Sequence, residues 1–190
     1  ISFLIAMGGD GTILKIAQQY KNLDAPILGI NLGNLGFMAD IPIEDIFPSL
    51  EDLLNGQYKI EKRIKIEASI NGQTFQAAND IVFHRGKNPH LIELSVYVND
   101  LYFNTFTGDG MIFSTPNGST AYSLAAGGPI LSPELDAFVV TPVCPHTISN
   151  RPFVLTSESE IKVQYLGNEE IEMIADGTQI SLIKNKNTVR

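Results

Sequence analysis

The chain has 190 residues, 44% of them hydrophobic, and a formal net charge of −8. Its length and apolar content are enough to bury a core in one domain or two small ones. Only thirteen Lys and Arg stand against twenty-one Asp and Glu, which argues against a nucleic-acid partner, because phosphate backbones are bound by clustered basic side chains.

Cysteine content and apolar runs restrict the compartment. The single cysteine, Cys144, excludes a disulfide within the chain and fits a reducing compartment, and we interpret its side chain as a small buried hydrophobe. No apolar run approaches the ~18 to 20 residues of a membrane helix, and no signal-peptide pattern opens the sequence. We therefore expect a cytoplasmic protein with no membrane partner.

The first elements follow the order of an α/β layer. An apolar run over residues 2–7 predicts a strand that ends at a glycine turn, and apolar residues then recur with helical spacing up to Tyr20. A second strand over 27–30 meets a glycine-rich loop over 31–36. Such strands are typical of a parallel sheet that binds ligands at its carboxyl ends. Because the sequence opens inside the first strand, we expect this layer to be incomplete at its start.

The hydrophobic period then changes from helical to two. An amphipathic helix is predicted after Pro42 and stops at Asn55-Gly56. A long strand is predicted over 58–70, with a tight hairpin turn at Asn71-Gly72. Further strands are predicted at 74–78, 81–84, 91–98, 102–106, 111–114, 138–141, 161–165, 171–175 and 179–183, with one short helix at 119–126. We therefore predict an α/β domain over 1–57 and an all-β, β-sandwich-like domain over 58–190.

Residues 8–12 read Gly-Gly-Asp-Gly-Thr, between the first strand and its helix. Backbone N–H groups at such a turn bind phosphates, and glycine permits a close approach. Asp10 would be repelled by phosphate unless it has a task of its own, and accepting a proton from an attacking hydroxyl is the natural one. Alternatively, Asp10 is the N-cap of the helix and the glycines form a tight turn. The pentapeptide alone leaves both interpretations open.

A second polar block follows the strand that begins at Gly108-Asp109-Gly110. Residues 114–123 read Ser-Thr-Pro-Asn-Gly-Ser-Thr-Ala-Tyr-Ser. Hydroxyls, small residues and glycine are poor core material and suit a turn that holds a polar, planar ligand, with Tyr122 available to stack on a base. The alternative is a helix start capped by Ser119 that satisfies its own backbone and binds nothing.

The order of these motifs resembles that of the NAD kinases. The matching segments are GGDGT at 8–12, NLGNLGFMAD at 31–40, Asn79-Asp80, GDG at 108–110 with STPNGSTAY at 114–122, and PHTISNRP at 145–152. GGDGT alone also resembles diacylglycerol and sphingosine kinases, but STPNGSTAY does not. The resemblance implies an enzyme that transfers a phosphoryl group from ATP to the adenosine ribose 2′-hydroxyl of NAD, giving NADP, in a crevice between the two domains.

The resemblance also implies roles for particular residues. Asp10 matches the family's proton acceptor, Asn79 matches an adenosine-side contact, and Asp109 matches a carboxylate at the nicotinamide end. Asp80 stands where the family usually has glutamate to hold ribose hydroxyls, so its carboxylate reaches one methylene less. The other implied nucleotide contacts are Gly8, Gly9, Gly11, Thr12, Lys15, Phe37, His90, Thr107, Ser119, Thr120, Ala121, Tyr122, Ser123, Leu124, Ala125, His146 and Gln179.

Some of these residues also have simpler interpretations. Lys15 could be an exposed helix lysine, and His146 could be tied into a turn beside Pro145. Gln179 could be a strand-face glutamine after a turn. Thr107 stands where some family members carry arginine.

The implied partners are NAD and ATP, in a homodimer or homotetramer. Magnesium or another divalent metal is expected on the ATP phosphates, because the sequence has neither a GxxxxGK[ST] loop nor His and Cys at metal-ligand spacing. Two alternatives stay open. One is a lipid kinase with the same GGDGT chemistry, and the other is a catalytically silent NAD(H) sensor that keeps the dinucleotide site.

Overall fold

The computed structural model describes residues 3–20, 24–33, 36–147 and 150–190. Contacts divide the chain into two compact units, Ile1–Lys62 and Arg63–Arg190, whereas the sequence placed the division after residue 57. Within the described ranges, no helix has the length and hydropathy that a membrane crossing requires. Five residues of the predicted first strand and motifs lie outside these ranges: Ser2, Asn34, Leu35, Ile148 and Ser149.

The first unit is a small parallel sheet with two helices. Its elements are β1 (Leu4–Met7), α1 (Asp10–Gln19), β2 (Ile27–Asn31), β3 (Ile41–Pro42), a 3₁₀ turn (Ile43–Asp45) and α2 (Ile46–Leu54). The strand order is β1-β2-β3, and both pairs are parallel. Ile13 on α1 packs with Ala6 of β1 and with Ala39, so the helical apolar spacing also supplies the core. The predicted parallel α/β layer is confirmed.

The second unit is built of antiparallel strands. In chain order they are β4 (Ile66–Ile70), β5 (Gln73–Ala77), β6 (Asp80–His84), β7 (Ile92–Val98), β8 (Leu101–Gly108), β9 (Gly110–Ser114), β10 (Ala137–Val143), β11 (Phe153–Thr156), β12 (Ile161–Tyr165), β13 (Ile171–Ala175), β14 (Thr178–Ile183) and β15 (Thr188–Val189). A 3₁₀ turn (Gly118–Thr120) and the short helix α3 (Tyr122–Ala125) follow β9.

These strands form two main sheets and a hairpin. One sheet has the order β11-β10-β9-β6-β13-β14, the other β15-β12-β7-β8, and β4 pairs with β5. Side chains from both sheets, including Phe83 and Phe113 from one and Leu94 from the other, share one hydrophobic core. Burying a side chain of this size contributes about 1.5 to 3 kcal/mol. The predicted fold class, an α/β part followed by a β-sandwich-like part, is confirmed.

The two central strands of the larger sheet are buried on both faces. On the face away from the main core, Val82 of β6 and Ile112 of β9 pack with Val143 and with Ala126, which follows α3. Double burial explains why these strands have continuous apolar runs instead of alternation. Ala126 thereby holds the end of α3 against this face of the sheet.

The period-two pattern predicted too long a first strand in this unit. Residues 57–65, all within the described ranges, form neither helix nor strand, and β4 begins only at Ile66, opposite Ala77 of β5. Alternation does not make a strand where no partner accepts its backbone hydrogen bonds. The sequence also missed β3, β11 and β15, which have two to four residues and lie at sheet edges.

Candidate active site

Asp10 begins helix α1 directly after β1, and a second loop holds its carboxylate. Oδ2 accepts the backbone N–H of Phe37 at 2.9 Å, and Oδ1 accepts those of Met38 and Ala39, each at 3.0 Å. A Cβ at Gly36 would collide with Oδ1, so glycine is required there. The interpretation of Asp10 as a helix cap is wrong, because Gly9 is the N-cap residue.

These hydrogen bonds also set the charge of Asp10. Partial burial raises its pKa, but the backbone hydrogen bonds from Ala39, Phe37 and Met38 together outweigh burial, and the pKa lies below the ordinary value. The carboxylate is therefore ionised at neutral pH and can accept a further hydrogen bond. The lower pKa also makes Asp10 a weaker base than an unrestrained aspartate.

The glycines around Asp10 differ in the space that they leave. A Cβ at Gly8 would collide with Thr12, whereas one at Gly9 or Gly11 would meet no atom within 4 Å. The backbone is therefore open to a ligand at Gly9 and Gly11. Thr12 donates its N–H to the Gly9 carbonyl at 2.9 Å. The other two predicted residues of this unit, Lys15 and Phe37, are both exposed.

In the second unit, Asn79 lies between β5 and β6, Asp80 begins β6, and both are held by Asp176. The Asp176 carboxylate accepts the N–H groups of Ala78 at 2.8 Å, Asn79 at 2.7 Å and Asp80 at 3.1 Å. Its own N–H donates to the Asp80 carbonyl at 3.0 Å. The backbone on which the two predicted ribose contacts depend is therefore fixed by one side chain.

The polar turn after β9 braces the same segment from another direction. Thr115 donates its N–H to the Asn79 carbonyl at 2.9 Å and its hydroxyl to the Ala78 carbonyl at 2.6 Å. The Asn117 amide donates to Oδ1 of Asn79. A Cβ at Gly118 would collide with the Asn79 carbonyl. The STPNG sequence is thus a close-packed support for Asn79.

Asp80 has an unusual protonation equilibrium. Burial, followed by the negative charge of Asp176, raises the pKa of Asp80 to about 6. The Asp176 carboxylate that accepts the three N–H groups therefore also disfavours a second negative charge on Asp80. Near neutral pH, Asp80 is close to its titration point.

Within the turn, the predicted contacts divide into buried and exposed residues. Ser119 donates to the Pro116 carbonyl at 2.6 Å and accepts the Leu131 N–H, and Ser123 pairs with Thr141 at 2.8 Å. Both serines are fully buried. Thr120 is half-buried, and the side chains of Ala121, Tyr122, Leu124 and Ala125 are exposed. A ligand therefore has access to these four side chains.

Asp109 lies in a third group, at the junction of β8 and β9. Oδ1 of Asp109 is 2.8 Å from Nε of Arg85, and this ion pair lacks hydrogen-bond geometry at Nε. The backbone carbonyl of Asp109 also accepts the backbone N–H of Arg85 at 3.0 Å. Arg85 also donates to the Asn88 carbonyl at 2.7 Å, and Oδ1 of Asn88 accepts the N–H of His90 at 2.9 Å. Two predicted residues, Asp109 and His90, are thus joined through Arg85 and Asn88.

His146 and Cys144 belong to the same region. The backbone N–H of His146 donates to the Thr107 carbonyl at 2.9 Å. The backbone N–H of Asp109 donates to the Val143 carbonyl. The interpretation of Cys144 as buried is wrong: its side chain is exposed. Its φ of +45° lies directly after β10, where the strand ends.

Electrostatics link two of these groups in the second unit. Burial raises the pKa of Tyr122, and the charges of Cys144, Asp109 and Asp80 raise it further. The exposed Tyr122 ring therefore lies within electrostatic range of both the Asp80 and the Asp109 groups. Gln179, the remaining predicted residue, is exposed on β14 opposite Ile174.

Sequence reasoning missed three supporting residues: Asp176, Arg85 and Asn117. For Asp176 the available signal was the Asp-Gly pair, which marks a tight turn but does not reveal its partners. Across the described residues, no group of three or more His, Cys, Asp or Glu side chains is placed to hold a metal ion.

Two family models match the chain and place it among nucleotide-dependent kinases. The ATP-NAD kinase N-terminal domain matches residues 1–58, and the ATP-NAD kinase C-terminal domain matches residues 78–190. The chain belongs to the NAD kinase family. The resemblance predicted from the motifs is therefore confirmed.

Individual relatives are similar over nearly all of the chain. The NAD kinase of Protochlamydia amoebophila is 56% identical over 189 residues, which are 98% of this chain and 68% of that protein. The NAD kinase of Caldanaerobacter subterraneus is 44% identical over 183 residues, 93% of this chain and 65% of that protein. The chain thus spans about two thirds of the length of these relatives.

Solved structures agree with this assignment. Yeast NADH kinase complexed with NADH has a TM-score of 0.93 and 32% identity, covering 100% of this chain and 57% of that one. An NAD kinase from Archaeoglobus fulgidus in complex with ATP has a TM-score of 0.85 and 28% identity, covering 100% of this chain and 74% of that one. These comparisons favour neither the lipid kinase nor the silent sensor.

Proposed function

We propose that the protein transfers the γ-phosphoryl group of ATP to the 2′-hydroxyl of the adenosine ribose of NAD, giving NADP. The observation that carries this proposal is Asp10, an ionised carboxylate held by three N–H groups at the start of a helix. The open backbone at Gly9 and Gly11 suits phosphate binding. The relatives solved with NADH and with ATP support both substrates.

In this mechanism, Asp10 accepts a hydrogen bond from the 2′-hydroxyl and then receives its proton. The ribose oxygen forms a bond to the γ-phosphorus, the bond from that phosphorus to the bridging oxygen breaks, and ADP leaves. Phosphoryl transfer depends mainly on positioning and charge stabilisation. A carboxylate of lowered proton affinity is therefore adequate, and a positioned base contributes about 10²- to 10⁴-fold.

The second unit would bind the dinucleotide. Asn79 offers an amide donor and acceptor to the adenosine, and ionised Asp80 would accept hydrogen bonds from ribose hydroxyls. The exposed Tyr122 ring is available for stacking on a base. We assign Thr120, Ala121, Leu124 and Ala125 to the adenosine side and Asp109 to the nicotinamide side. The remaining dinucleotide contacts are assigned to His90, Thr107 and His146, with Gln179 as a late polar contact. The buried hydroxyls of Ser119 and Ser123 would shape the turn that these residues share.

Magnesium, in this proposal, arrives as part of the ATP substrate. Magnesium prefers phosphate oxygens and water and is usually held by few protein ligands. The Asp10 oxygens already accept three N–H groups, so this carboxylate fits a hydroxyl donor better than a metal. The donor phosphates would contact Gly8, Gly9, Gly11 and Thr12, with Lys15 as a basic contact and Phe37 beside the loop.

We further propose a cytoplasmic homodimer or homotetramer that has no nucleic-acid or membrane partner. The family resemblance supports an oligomer, and so do the exposed apolar side chains of Leu101 and Tyr102 on the edge strand β8. Sedimentation at micromolar concentration would test the oligomer, and a monomer that still binds NAD normally would contradict it.

A coupled assay tests the proposed activity directly. The purified protein is given ATP, magnesium and NAD, and NADP is detected with an NADP-specific dehydrogenase; when a lipid replaces NAD as the acceptor, turnover is measured as ADP release. We expect turnover with NAD and none with diacylglycerol or sphingosine as the acceptor. Turnover with either lipid in place of NAD would instead identify a lipid kinase. NAD binding without turnover would identify a silent sensor.

A further inference from the structure

We propose that Asp176 is a positioning residue for the dinucleotide: its carboxylate holds the backbone of residues 78–80 so that Asn79 and Asp80 can bind the adenosine ribose. The inference rests on the proposed NAD kinase function. It adds a residue that lies in none of the motifs quoted above and about a hundred positions along the chain from the segment that it holds.

Asp176 lies in the turn between β13 and β14, which places its carboxylate next to residues 78–80. It is the first of the two loop residues between β13 and β14, where Ala175 pairs with Thr178. Asp176 has a φ of +45° and Gly177 a φ of +77°, the conformation in which Asp-Gly is favoured. The strand β13 pairs with β6, with Ala175 opposite Ile81. The turn therefore comes directly beside the start of β6.

The segment over 78–80 presents three N–H groups to this turn. All three are accepted by the Asp176 carboxylate, at 2.7 to 3.1 Å. Ala78 and Asp80 are buried and Asn79 is half-buried. Buried N–H groups need acceptors, and hydrogen bonds to a charged acceptor are stronger than neutral ones. Asp176 thus supplies acceptors where the chain passes from β5 to β6.

The other side of the segment is fixed by the polar turn. Thr115 donates hydrogen bonds to the carbonyls of Ala78 and Asn79, and the Asn79 carbonyl lies so close to Gly118 that a Cβ there would collide with it. With Asp176 in place, the direction of the Asn79 side chain is set from both sides. Without the Asp176 carboxylate, the contacts to the Ala78 and Asn79 carbonyls and to Oδ1 of Asn79 remain, but the N–H groups of residues 78–80 lose their acceptor. We therefore expect loss of the carboxylate to act on NAD binding through Asn79 and Asp80.

A matched turn in the same unit separates this role from turn formation. Asn71 and Gly72 form the two-residue loop between β4 and β5, with φ of 51° and 78° and with Ile70 opposite Gln73. Among the described residues, the exposed Asn71 side chain has no hydrogen-bond partner. The same turn conformation therefore forms at Asn71-Gly72 without side-chain hydrogen bonds. The three hydrogen bonds that Asp176 accepts are not needed to form its turn.

The test is the Asp176→Asn variant of the purified protein. Asparagine has nearly the same side-chain shape as aspartate and the same preference for this turn. It has only one acceptor oxygen, however, and its NH₂ group would face an N–H group of residues 78–80 that needs an acceptor. We expect the KM and the calorimetric dissociation constant for NAD to rise at least about tenfold, the loss typical of a charge-assisted hydrogen bond. We expect the KM for ATP to stay within about twofold and kcat to fall by no more than a few fold.

Two further variants complete the design. Asn71→Ala changes the first residue of the matched turn and should leave every kinetic constant within about twofold. Asp176→Glu restores the charge on a longer side chain, so its NAD affinity should lie between those of the parent and of Asp176→Asn. If Asp176→Asn does not fold, the glutamate variant alone carries the test.

Each outcome is decisive. A lower melting temperature with unchanged NAD affinity, in either Asp176 variant, would make Asp176 merely structural and overturn the inference. If the parent binds NAD but has no turnover, the proposed function fails while calorimetry still tests Asp176. If the parent binds no NAD at all, both proposals are overturned.

Discussion

Two carboxylates, one in each unit, make the same kind of contact in different surroundings. Asp10 and Asp176 each accept three backbone N–H groups. The loop that Asp10 holds is 67% exposed at Phe37, although Ala39 at its end is buried. The segment that Asp176 holds is buried at Ala78 and Asp80 and braced from its other side. The number of hydrogen bonds therefore does not identify a reacting group, whereas access by a ligand does.

The largest effect is expected at Asp10. Asp10→Asn removes the proton acceptor, and turnover should fall at least about a hundredfold while NAD affinity changes little. The exposed Asp40, at the end of the motif at 31–40, provides the control, and Asp40→Asn should keep turnover within about twofold. The coupled assay measures both variants. If folded Asp10→Asn turned over NAD nearly as fast as the parent, Asp10 would not be the proton acceptor.

A smaller loss of turnover is expected when Asp10 is retained but its carboxylate is displaced by a substitution at Gly36. The Cβ of Gly36→Ala would collide with the Asp10 carboxylate, whereas a Cβ at Gly33 would meet no atom within 4 Å. We expect Gly36→Ala to lower turnover about tenfold or more, because misplacing a reacting group by ~1 Å can cost as much as a hundredfold. Gly33→Ala should stay within about twofold. Equal kinetics in the two variants would mean that the loop does not set the position of Asp10.

The smallest effect concerns the pH dependence of stability at Asp80. Its folded pKa of about 6 lies above the ordinary 3.8, so its contribution to stability is present below pH 3.8 and is lost as the pH rises through about 6. Asp80→Asn cannot ionise. Its free energy of unfolding relative to the parent should therefore improve by about 1 to 1.5 kcal/mol between pH 5 and pH 8.

Denaturant unfolding at the two pH values measures this difference. Asp100→Asn, at an exposed carboxylate in the β7–β8 turn, is the control and should show the same offset from the parent at both pH values. An Asp80→Asn offset that is also independent of pH would contradict the raised pKa.

The sequence was most informative where a local pattern determines local structure. Glycine turns after apolar runs predicted β1, β2 and their parallel pairing, and Asn71-Gly72 predicted a hairpin that forms as expected. It was least informative where a partner decides the outcome. Residues 58–65 alternate like a strand but pair with no strand in the described part of the chain, and β11 and β15 are short edge strands that pair with distant segments.

The same limit applies to the candidate site. Motifs predicted Asp10, Asn79, Asp80 and Asp109, because each stands in a distinctive local sequence. Asp176 binds the N–H of Asn79 across 97 positions, and no local pattern encodes that pairing. The exposed side chain of Cys144 depends on one left-handed φ at the end of β10, which composition does not reveal.

Asp10 and Asp176 are proposed to act on separate steps, Asp10 on phosphoryl transfer and Asp176 on NAD binding. A double-mutant cycle on kcat/KM for NAD tests this most directly, using the parent, Asp10→Asn, Asp176→Asn and the double variant. Independent roles predict that the double variant loses the product of the two single losses, within about twofold. A double variant no worse than the poorer single variant would show that the two carboxylates act as one unit, and would contradict the account.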